Sequence, residues 1–337
     1  MVLLVNLGEL SYNIVIERGA LNSAASYLDL NRKVLILTDS GVPREYAEKI
    51  KSQCKDGYIV TIEQGEKSKN FDNYKMLLTK LCEYSFTRTD AVLALGGGVC
   101  GDLGGFVAAS YMRGIDFYNV PTTLLSQLDS SIGGKVAIDF NGIKNIVGAF
   151  YQPKKVLIDI DTLKTLDKRQ FSAGLCEGIK MALTFDKELF EFIEKSENID
   201  NDIDIIIEKA LKIKRDVVEK DPKEKNLRKV LNFGHTIGHA IESYENGKLL
   251  HGECVALGMI PFSSEEVRER LVKVLKKYNL PYEISTQGKE LYDYIAHDKK
   301  SFGSKITVIE CKEIGTYVMN NIELVDIEKY LMTGDKK

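Results

Sequence analysis

Histidine is scarce in this chain, with four among 337 residues. Cysteine occurs six times, at positions 54, 82, 100, 176, 254 and 311, and never as a C-x-x-C pair. In a chain of this length such scatter argues against a disulfide frame and for free thiols in a reducing compartment, so the expected location is cytoplasmic. No stretch reaches the roughly 20 apolar residues of a membrane span, and the apolar run at the amino terminus is too short for a signal peptide. Excess positive charge is also missing. A formal net charge of −3 gives no general attraction to nucleic acid or to an anionic membrane, so neither is an expected partner. Repeats and low-complexity linkers are absent. What remains is ordinary globular composition, 44% hydrophobic and 28% charged, in a chain long enough for two domains.

The first half alternates short β-rich runs with helical stretches. Residues 33–39, 58–62, 91–95 and 156–159 are continuous apolar runs ended by Asp, Gly or Glu, as in parallel strands buried on both faces. Between them, residues 42–54 and 70–84 carry helical spacing, which implies βαβ units. After about residue 165 long amphipathic patterns dominate, over 169–185, 187–196, 203–218, 236–244 and 263–278. Few strand-like runs remain there, apart from 305–309 and a Tyr317-Val-Met segment. The expectation is an α/β fold: a nucleotide-binding parallel-sheet domain, residues 1–165, then a mostly α-helical domain, 166–337, with a cleft between them.

The few histidines are concentrated. Three lie within Asn232-Phe-Gly-His-Thr-Ile-Gly-His-Ala-Ile-Glu-Ser-Tyr-Glu-Asn-Gly-Lys-Leu-Leu-His251. His235 and His239 are four apart and share one face of a helix, and a Tyr-Glu-Asn-Gly-Lys turn lets His251 fold back beside them. Two His on one face with a third ligand from elsewhere suit a catalytic metal with an open position; the same spacing also suits two core histidines.

Gly96-Gly-Gly-Val-Cys-Gly-Asp-Leu-Gly-Gly105 follows the run 91–95, and Gly96, Gly98 and Gly101 match G-x-G-x-x-G. Glycine lets backbone approach a pyrophosphate, and a helix N-terminus offers it free N–H groups. The motif is late for a dinucleotide fingerprint and Asp116 is nearer than the acid usually found about 20 residues on, so a plain tight turn competes. Gly65-Glu-Lys-Ser-Lys69 and Pro121-Thr-Thr123 add polar loops after neighbouring strands. Cations accumulate as well: Arg113, Lys135, Lys144, Lys180, Lys214, Arg228 and one of Lys299 and Lys300. Lys214 interrupts the apolar face Ile207, Leu211, Val218, so it either snorkels to solvent or points into a polar site. One cleft holding these cations in a chain of net negative charge implies a substrate with phosphate or carboxylate.

Over essentially its whole length the chain resembles the 3-dehydroquinate synthase family of sugar-phosphate cyclases. The resemblance rests on Gly96-Gly-Gly-Val-x-Gly-Asp-x-Gly-Gly-Phe106, Tyr111-x-Arg-Gly-Ile115, Pro121-Thr-Thr-Leu-Leu125, Asp129-Ser-Ser-Ile-Gly-Gly-Lys135, Lys144-Asn145, Gly148-Ala-Phe-Tyr-Gln-Pro153, Ala173-Gly-Leu-x-Glu177, Leu231-Asn-Phe-Gly-His-Thr-x-Gly-His-Ala-Ile-Glu242, Leu250-His-Gly-Glu253 and Asp298-Lys-Lys300. It implies a Rossmann-like first domain, a helical second one and a homodimer. It also implies Glu177, His235 and His251 as ligands of Zn²⁺ or Co²⁺, with His239 facing the substrate. Substrate positions by the same resemblance are Asp129, Lys135, Asn145, Lys180, Lys214, Arg228, Asn232, His239 and one lysine of the Asp-Lys-Lys motif, taken as Lys299. Among these His239, Lys180, Lys135, Asn232 and Arg228 carry the catalytic roles, and Arg113 resembles an arginine that reaches a neighbouring subunit's phosphate site. NAD contacts correspond to Asp39, Glu66, Lys69, Gly97, Gly98, Val99, Asp102, Thr122, Thr123, Asp129, Lys144 and Thr165. Val136, Ile143, Gly41 and Cys176-Glu-Gly-Ile-Lys-Met181 depart from commoner family residues, and none of them removes a ligand or a cation.

The reaction implied converts 3-deoxy-D-arabino-heptulosonate 7-phosphate to 3-dehydroquinate and phosphate. It runs through transient oxidation by NAD⁺, β-elimination of phosphate, re-reduction, ring opening and an intramolecular aldol step. Another sugar-phosphate cyclase, a metal-dependent polyol dehydrogenase and a nucleotide-binding regulator without turnover are the competing readings. Arg228, Asn232 and Asp298-Lys-Lys300 favour a carboxylate-bearing substrate, and intact metal ligands argue against the regulator.

Overall fold

A computed structural model of the chain describes residues 1–284, 288–299 and 305–331. Two compact units divide it, Met1–Asp167 and Lys168–Lys337.

The first unit opens with the antiparallel pair β1 (Val2–Val5) and β2 (Tyr12–Ile16). There follow β3 (Lys33–Asp39), α1 (Arg44–Lys51), β4 (Asp56–Ile62), α2 (Phe71–Glu83), β5 (Ala91–Gly96), α3 (Gly98–Ser110) and β6 (Asp116–Pro121). A hairpin, β7 (Lys135–Phe140) and β8 (Ile143–Phe150), precedes β9 (Lys155–Ile158). Among the described residues seven strands form one sheet in the order β1-β2-β9-β6-β5-β3-β4, parallel at every pairing except β1–β2.

Alternation along the apolar runs fills both faces of this sheet. Val34, Ile36 and Leu93 pack with Tyr46, Ala47 and Ile50 of α1. Their sequence neighbours Leu35, Leu37, Val92 and Ala94 pack on the other face with Leu77 and Leu81 of α2 and Leu103 and Val107 of α3. The runs that form β3, β5 and β9 are buried in this way, whereas 58–62 lies in the edge strand β4, where only Ile62 is buried. The hairpin was not read from the sequence, although Asn141-Gly142 turns it with both residues at positive φ, +49° and +78°, the geometry that an Asn-Gly pair favours. Chain order reverses between β3 and β5, since β4 lies on one side of β3 and β5 then β6 on the other. In open α/β sheets, ligands bind at the carboxyl ends of strands flanking such a reversal.

In the second unit come α4 (Lys168–Phe185), α5 (Lys187–Lys195), α6 (Ile199–Lys220), α7 (His235–Glu245), α8 (His251–Met259), α9 (Glu265–Lys277), α10 (Gly288–Lys299), the antiparallel pair β10 (Lys305–Glu310) and β11 (Val318–Glu323), and α11 (Glu328–Leu331). Side-chain caps start several of them: Asp186 accepts from Leu189 N at 2.9 Å and Asn198 from Asp200 N at 3.1 Å. The amphipathic stretches thus form helices. Helix α8 escaped the sequence reading because Gly252 to Met259 are all buried; a helix buried all round shows no polar face to mark its period. Among the described residues no helix is long and apolar enough to cross a membrane.

Candidate active site

Three helices of the second unit converge on one carboxylate. Glu177 and Lys180, one turn apart on α4, are each about 1% exposed. Lys180 Nζ makes an ion pair with Glu177 Oε2, while Glu177 Oε1 lies 3.9 Å from His235 Nε2 and 3.7 Å from His251 Nε2. Helix α7 begins at His235 because Gly234, at φ +79°, breaks the chain from the preceding 3-10 turn Leu227–Asn232. The turn Asn246-Gly247, also at positive φ, reverses the chain so that α8 starts at His251. Gly252 permits the close approach: a Cβ there would sit 1.9 Å from the carbonyl oxygen of Ala173 on α4.

Both histidines have their Nδ1 atoms engaged. His251 Nδ1 lies 3.1 Å from Glu242 Oε2, and His235 Nδ1 lies 3.2 Å from the Phe233 carbonyl. Each contact fixes its ring and leaves Nε2 facing Glu177, the arrangement by which outer partners orient metal ligands. Burial, reinforced by Lys180 and by the neighbouring rings, holds His235 well below the ordinary imidazole range. Burial pushes His251 the same way, but the Glu242 hydrogen bond and the charges of Glu177 and Glu242 outweigh it and raise its pKa.

The donor set fits a divalent metal. Oε1 of the buried Glu177 accepts no hydrogen bond, Oε2 being paired with Lys180, which is costly unless a cation supplies the missing partner. One nitrogen from each of His235, His239 and His251 lies within 4.8 Å of the others. Ligand atoms of a tetrahedral zinc lie roughly 3.3–3.5 Å apart, so the carboxylate oxygen and two Nε2 atoms need only a small inward movement. The ring of His239, one turn along α7, is 5.2 Å from His235 and 5.7 Å from His251, centroid to centroid, and is exposed.

Other residues singled out in this unit take distinct positions. Lys214 on α6 is only 3% exposed, so its ammonium does not snorkel to solvent. Arg228 is buried in the 3-10 turn, donating from its guanidinium to the Pro222 carbonyl at 2.9 Å. Its backbone N–H and those of Lys225 and Asn226 all donate to Asp221. Asn232 donates to Glu224 Oε1 at 2.6 Å. Arg228 and Asn232 lie on a 3-10 segment that the break at Gly234 separates from α7. The side chain of Lys299 and all of Lys300 lie outside the described residues.

In the first unit, several of the candidate cofactor residues fall at the carboxyl ends of β3, β5 and β6. Asp39 ends β3, accepting from Gly41 N at 2.8 Å and from the Cys100 thiol at 3.3 Å. Burial and Asp39 hold Cys100 as a neutral thiol, well above its usual pKa. Gly97, Gly98 and Val99 start α3, and Thr122 and Thr123 follow β6. A Cβ at Gly97 would meet Thr123 Cγ2 at 3.2 Å, so the glycine turn and the Thr pair are in close contact. Thr165 shares a 3.1 Å hydrogen bond with Tyr46. Glu66 and Lys69 sit after β4, and Lys69 Nζ reaches Glu66 at 2.6 Å, Asp102 at 3.2 Å and Asn145 at 2.6 Å. Burial lifts the Asp102 carboxyl to about 6, against the downward pull of Lys69.

Asp129 lies in a π-helical turn, Ser126–Ser130, and Lys135 and Lys144 are exposed on the hairpin. Arg113 lies away from the glycine turn. It follows the far end of α3, and thirteen residues at 1.5 Å each separate it from the glycine turn by roughly 20 Å. Two departures from the family pattern also find a place: Val136 lies where a Cβ on Gly105 would meet it at 2.3 Å, and a Cβ at Gly41 would meet Gln64 at 2.4 Å. Sequence reasoning missed Glu242 as a partner of His251, though an acid three residues after His239 was a usable signal.

Known proteins resemble the chain over nearly its whole length. The family model described as 3-dehydroquinate synthase N-terminal matches residues 59–173, and that described as 3-dehydroquinate synthase C-terminal matches residues 174–301. The 3-dehydroquinate synthase of Clostridium acetobutylicum is 43% identical over 97% of this chain and 98% of its own. That of Clostridium beijerinckii is 44% identical over 93% and 95%. Among solved structures, 2-deoxy-scyllo-inosose synthase complexed with carbaglucose-6-phosphate, NAD⁺ and Co²⁺ is similar with a TM-score of 0.89 at 26% identity, covering 99% of this chain and 100% of that one. The 2-epi-5-epi-valiolone synthase from Streptomyces hygroscopicus, with NAD⁺ and Zn²⁺ bound, gives 0.88 at 26% identity, covering 97% and 98%. A probable glycerol dehydrogenase from Sinorhizobium meliloti, at 14% identity and a TM-score of 0.62 over 96% of each chain, shares the fold alone.

Proposed function

The chain belongs to the 3-dehydroquinate synthase family, and on that premise we propose how its own residues serve the family's reaction. It is a lyase of the shikimate pathway, converting 3-deoxy-D-arabino-heptulosonate 7-phosphate to 3-dehydroquinate and phosphate. NAD and one divalent metal, zinc or cobalt, are its cofactors. When bound, the metal supplies Lewis acidity and the nicotinamide a reversible hydride acceptor.

One observation carries the assignment of residues: a buried carboxylate whose Oε1 has no hydrogen-bond donor, faced by two imidazoles whose Nδ1 atoms are already engaged. On this reading Glu177, His235 and His251 hold the metal. Lys180, Lys214 and Arg228 are buried cations that bind the substrate's anionic groups, and Asn232, His239 and Lys299 complete the second unit's contribution. A buried cation is desolvated before substrate arrives, so it holds an anion strongly and orients it through each step. His239, exposed beside the two ligand rings, is the imidazole available to move a proton on the substrate. From the first unit, the glycine turn, Asp39, Glu66, Lys69, Asp102, Thr122, Thr123, Asp129, Lys144 and Thr165 bind NAD, and Asp129, Lys135 and Asn145 bind substrate.

The substrate is a sugar phosphate carrying a carboxylate, and the working form is a cytoplasmic homodimer. Support for the dimer comes from β8, which among the described residues pairs only with β7 and exposes Ile143, Ile146 and Phe150. A strand edge of this kind is a ready template for a second chain. Arg113, roughly 20 Å from its own glycine turn, then serves the neighbouring subunit.

Free phosphate and NADH absorbance, followed together with the heptulosonate phosphate and then with glycerol, test the function. Many turnovers of phosphate release at trace NAD⁺, without net NADH and abolished by a chelator, are expected. Stoichiometric NADH from glycerol with no phosphate released from the sugar acid would replace this reading with a polyol dehydrogenase.

A further inference from the structure

The β7–β8 hairpin is regular from Lys135↔Phe150 to Ile138↔Val147 and then shifts register to Phe140↔Ile143. Asp139 is the one residue between the first strand's two pairings, and Lys144, Asn145 and Ile146 are the three between the second strand's. The mismatch is a bulge, and a bulge re-aims the side chains it carries. At its centre Asn145 takes the left-handed conformation, φ +55°.

Asp139 is what this bulge closes around. Its carboxylate Oδ1 accepts the Asn145 backbone N–H at 2.8 Å, and its own N–H donates to the Lys69 carbonyl at 2.8 Å. Turned this way, the Asn145 side chain accepts from Lys69 Nζ at 2.6 Å, and the same carboxylate oxygen stands 4.0 Å from that ammonium. The hairpin does not depend on this carboxylate. Its turn is made by Asn141-Gly142, and four register pairs from Lys135 to Ile138 hold its base. The Asp139 side chain therefore acts on the conformation of the bulge rather than on the existence of the strands.

We infer that Asp139 is a positioning residue: it holds the bulge so that Lys144 and Asn145 are presented in the orientations that NAD and substrate require. This rests on the assignment of Lys144 to NAD and Asn145 to substrate given above. Without the carboxylate, the Asn145 N–H loses its acceptor and the strained left-handed turn loses its lock.

The test uses the full chain as wild type, Asp139→Ala, Asp139→Asn and Asn145→Ala. Calorimetry gives the affinity for NAD⁺ and for a phosphonate analogue of the substrate, steady-state kinetics gives kcat and KM, and thermal unfolding checks the fold. Asp139→Ala is expected to weaken the phosphonate at least about tenfold, as for a lost hydrogen bond to a charged group, with a smaller loss for NAD⁺ and an unfolding midpoint near wild type. Asp139→Asn, whose amide oxygen still accepts the Asn145 N–H, should recover most of that loss. Wild-type affinities in Asp139→Ala, or an Asn variant as impaired as the Ala variant, would overturn the inference. Should Asn145→Ala bind the phosphonate as wild type does, the assignment of Asn145 fails instead, and a wild-type chain that binds neither probe overturns the functional reading on which both depend.

Discussion

Removing the Glu242 carboxylate should loosen the metal without removing any ligand. Glu242 lies two turns after His235 on α7, and its Oε2 is 3.1 Å from Nδ1 of His251, the first residue of α8. That contact keeps the proton on Nδ1 and the lone pair on Nε2, which faces Glu177 at 3.7 Å. His235 receives the same service from a backbone carbonyl, which mutation cannot delete. Glu242→Ala should therefore free one ring of the two. Loss of such an outer partner weakens metal affinity about 10–100-fold, or roughly 1.4–2.7 kcal/mol. Competition against a graded chelator series, with metal content measured in parallel, reads this directly. Glu242→Gln, which keeps an oxygen acceptor for Nδ1–H, should lie between the two. Adding Glu242→Ala to His251→Ala should cost nothing further, because the carboxylate acts through that ring. A Glu242→Ala protein with wild-type metal affinity, or an additive double variant, would refute the argument.

His235→Ala should abolish metal content and activity together, whereas His239→Ala should keep the metal and lose rate; a metal-free His239 variant beside a metal-loaded His251 variant would reverse the ligand assignment. Lys180→Met and Arg228→Leu should each weaken the phosphonate by about 1.5–3 kcal/mol, and unchanged affinity in both would remove them from the substrate site. Gly252→Ala would bring a Cβ to 1.9 Å from the Ala173 carbonyl, so α8 must move off α4; a loss of about 1–3 kcal/mol should appear in urea unfolding, and an unchanged midpoint would mean that the helices part without cost. Asp102 has its carboxyl raised to about 6 by burial. A raised carboxyl binds its proton more tightly folded than unfolded, so its contribution is present below about pH 4 and is lost as pH rises through about 6. Asp102→Asn should flatten the stability profile across that window, and a parallel profile in the two proteins would contradict the linkage.

Local chemistry made much of this protein readable in its sequence. Apolar runs such as Ala91 to Leu95 could only be strands buried on both faces, because nothing in them tolerates water, and amphipathic stretches such as 187–196 declared helices with one wet side. The motifs around Glu177, His235 and His251 named the candidate ligands by resemblance, whereas spacing alone would have made His239 a ligand. The surroundings of a ring are a three-dimensional matter: Nδ1 of His251 meets Glu242, and its Nε2 faces Glu177 on another helix. Helix α8 and the β7–β8 hairpin were illegible for opposite reasons. The first is buried all round and so has no polar face to reveal its period, while the second exposes nearly all of β8 and so has no buried face. Asp139 and Glu242 lay outside the residues given a role because their work is done on other residues. A sequence lists side chains that can bind or react, but a carboxylate that orients a neighbour gains its meaning only when folding brings the neighbour's N–H within about 3 Å.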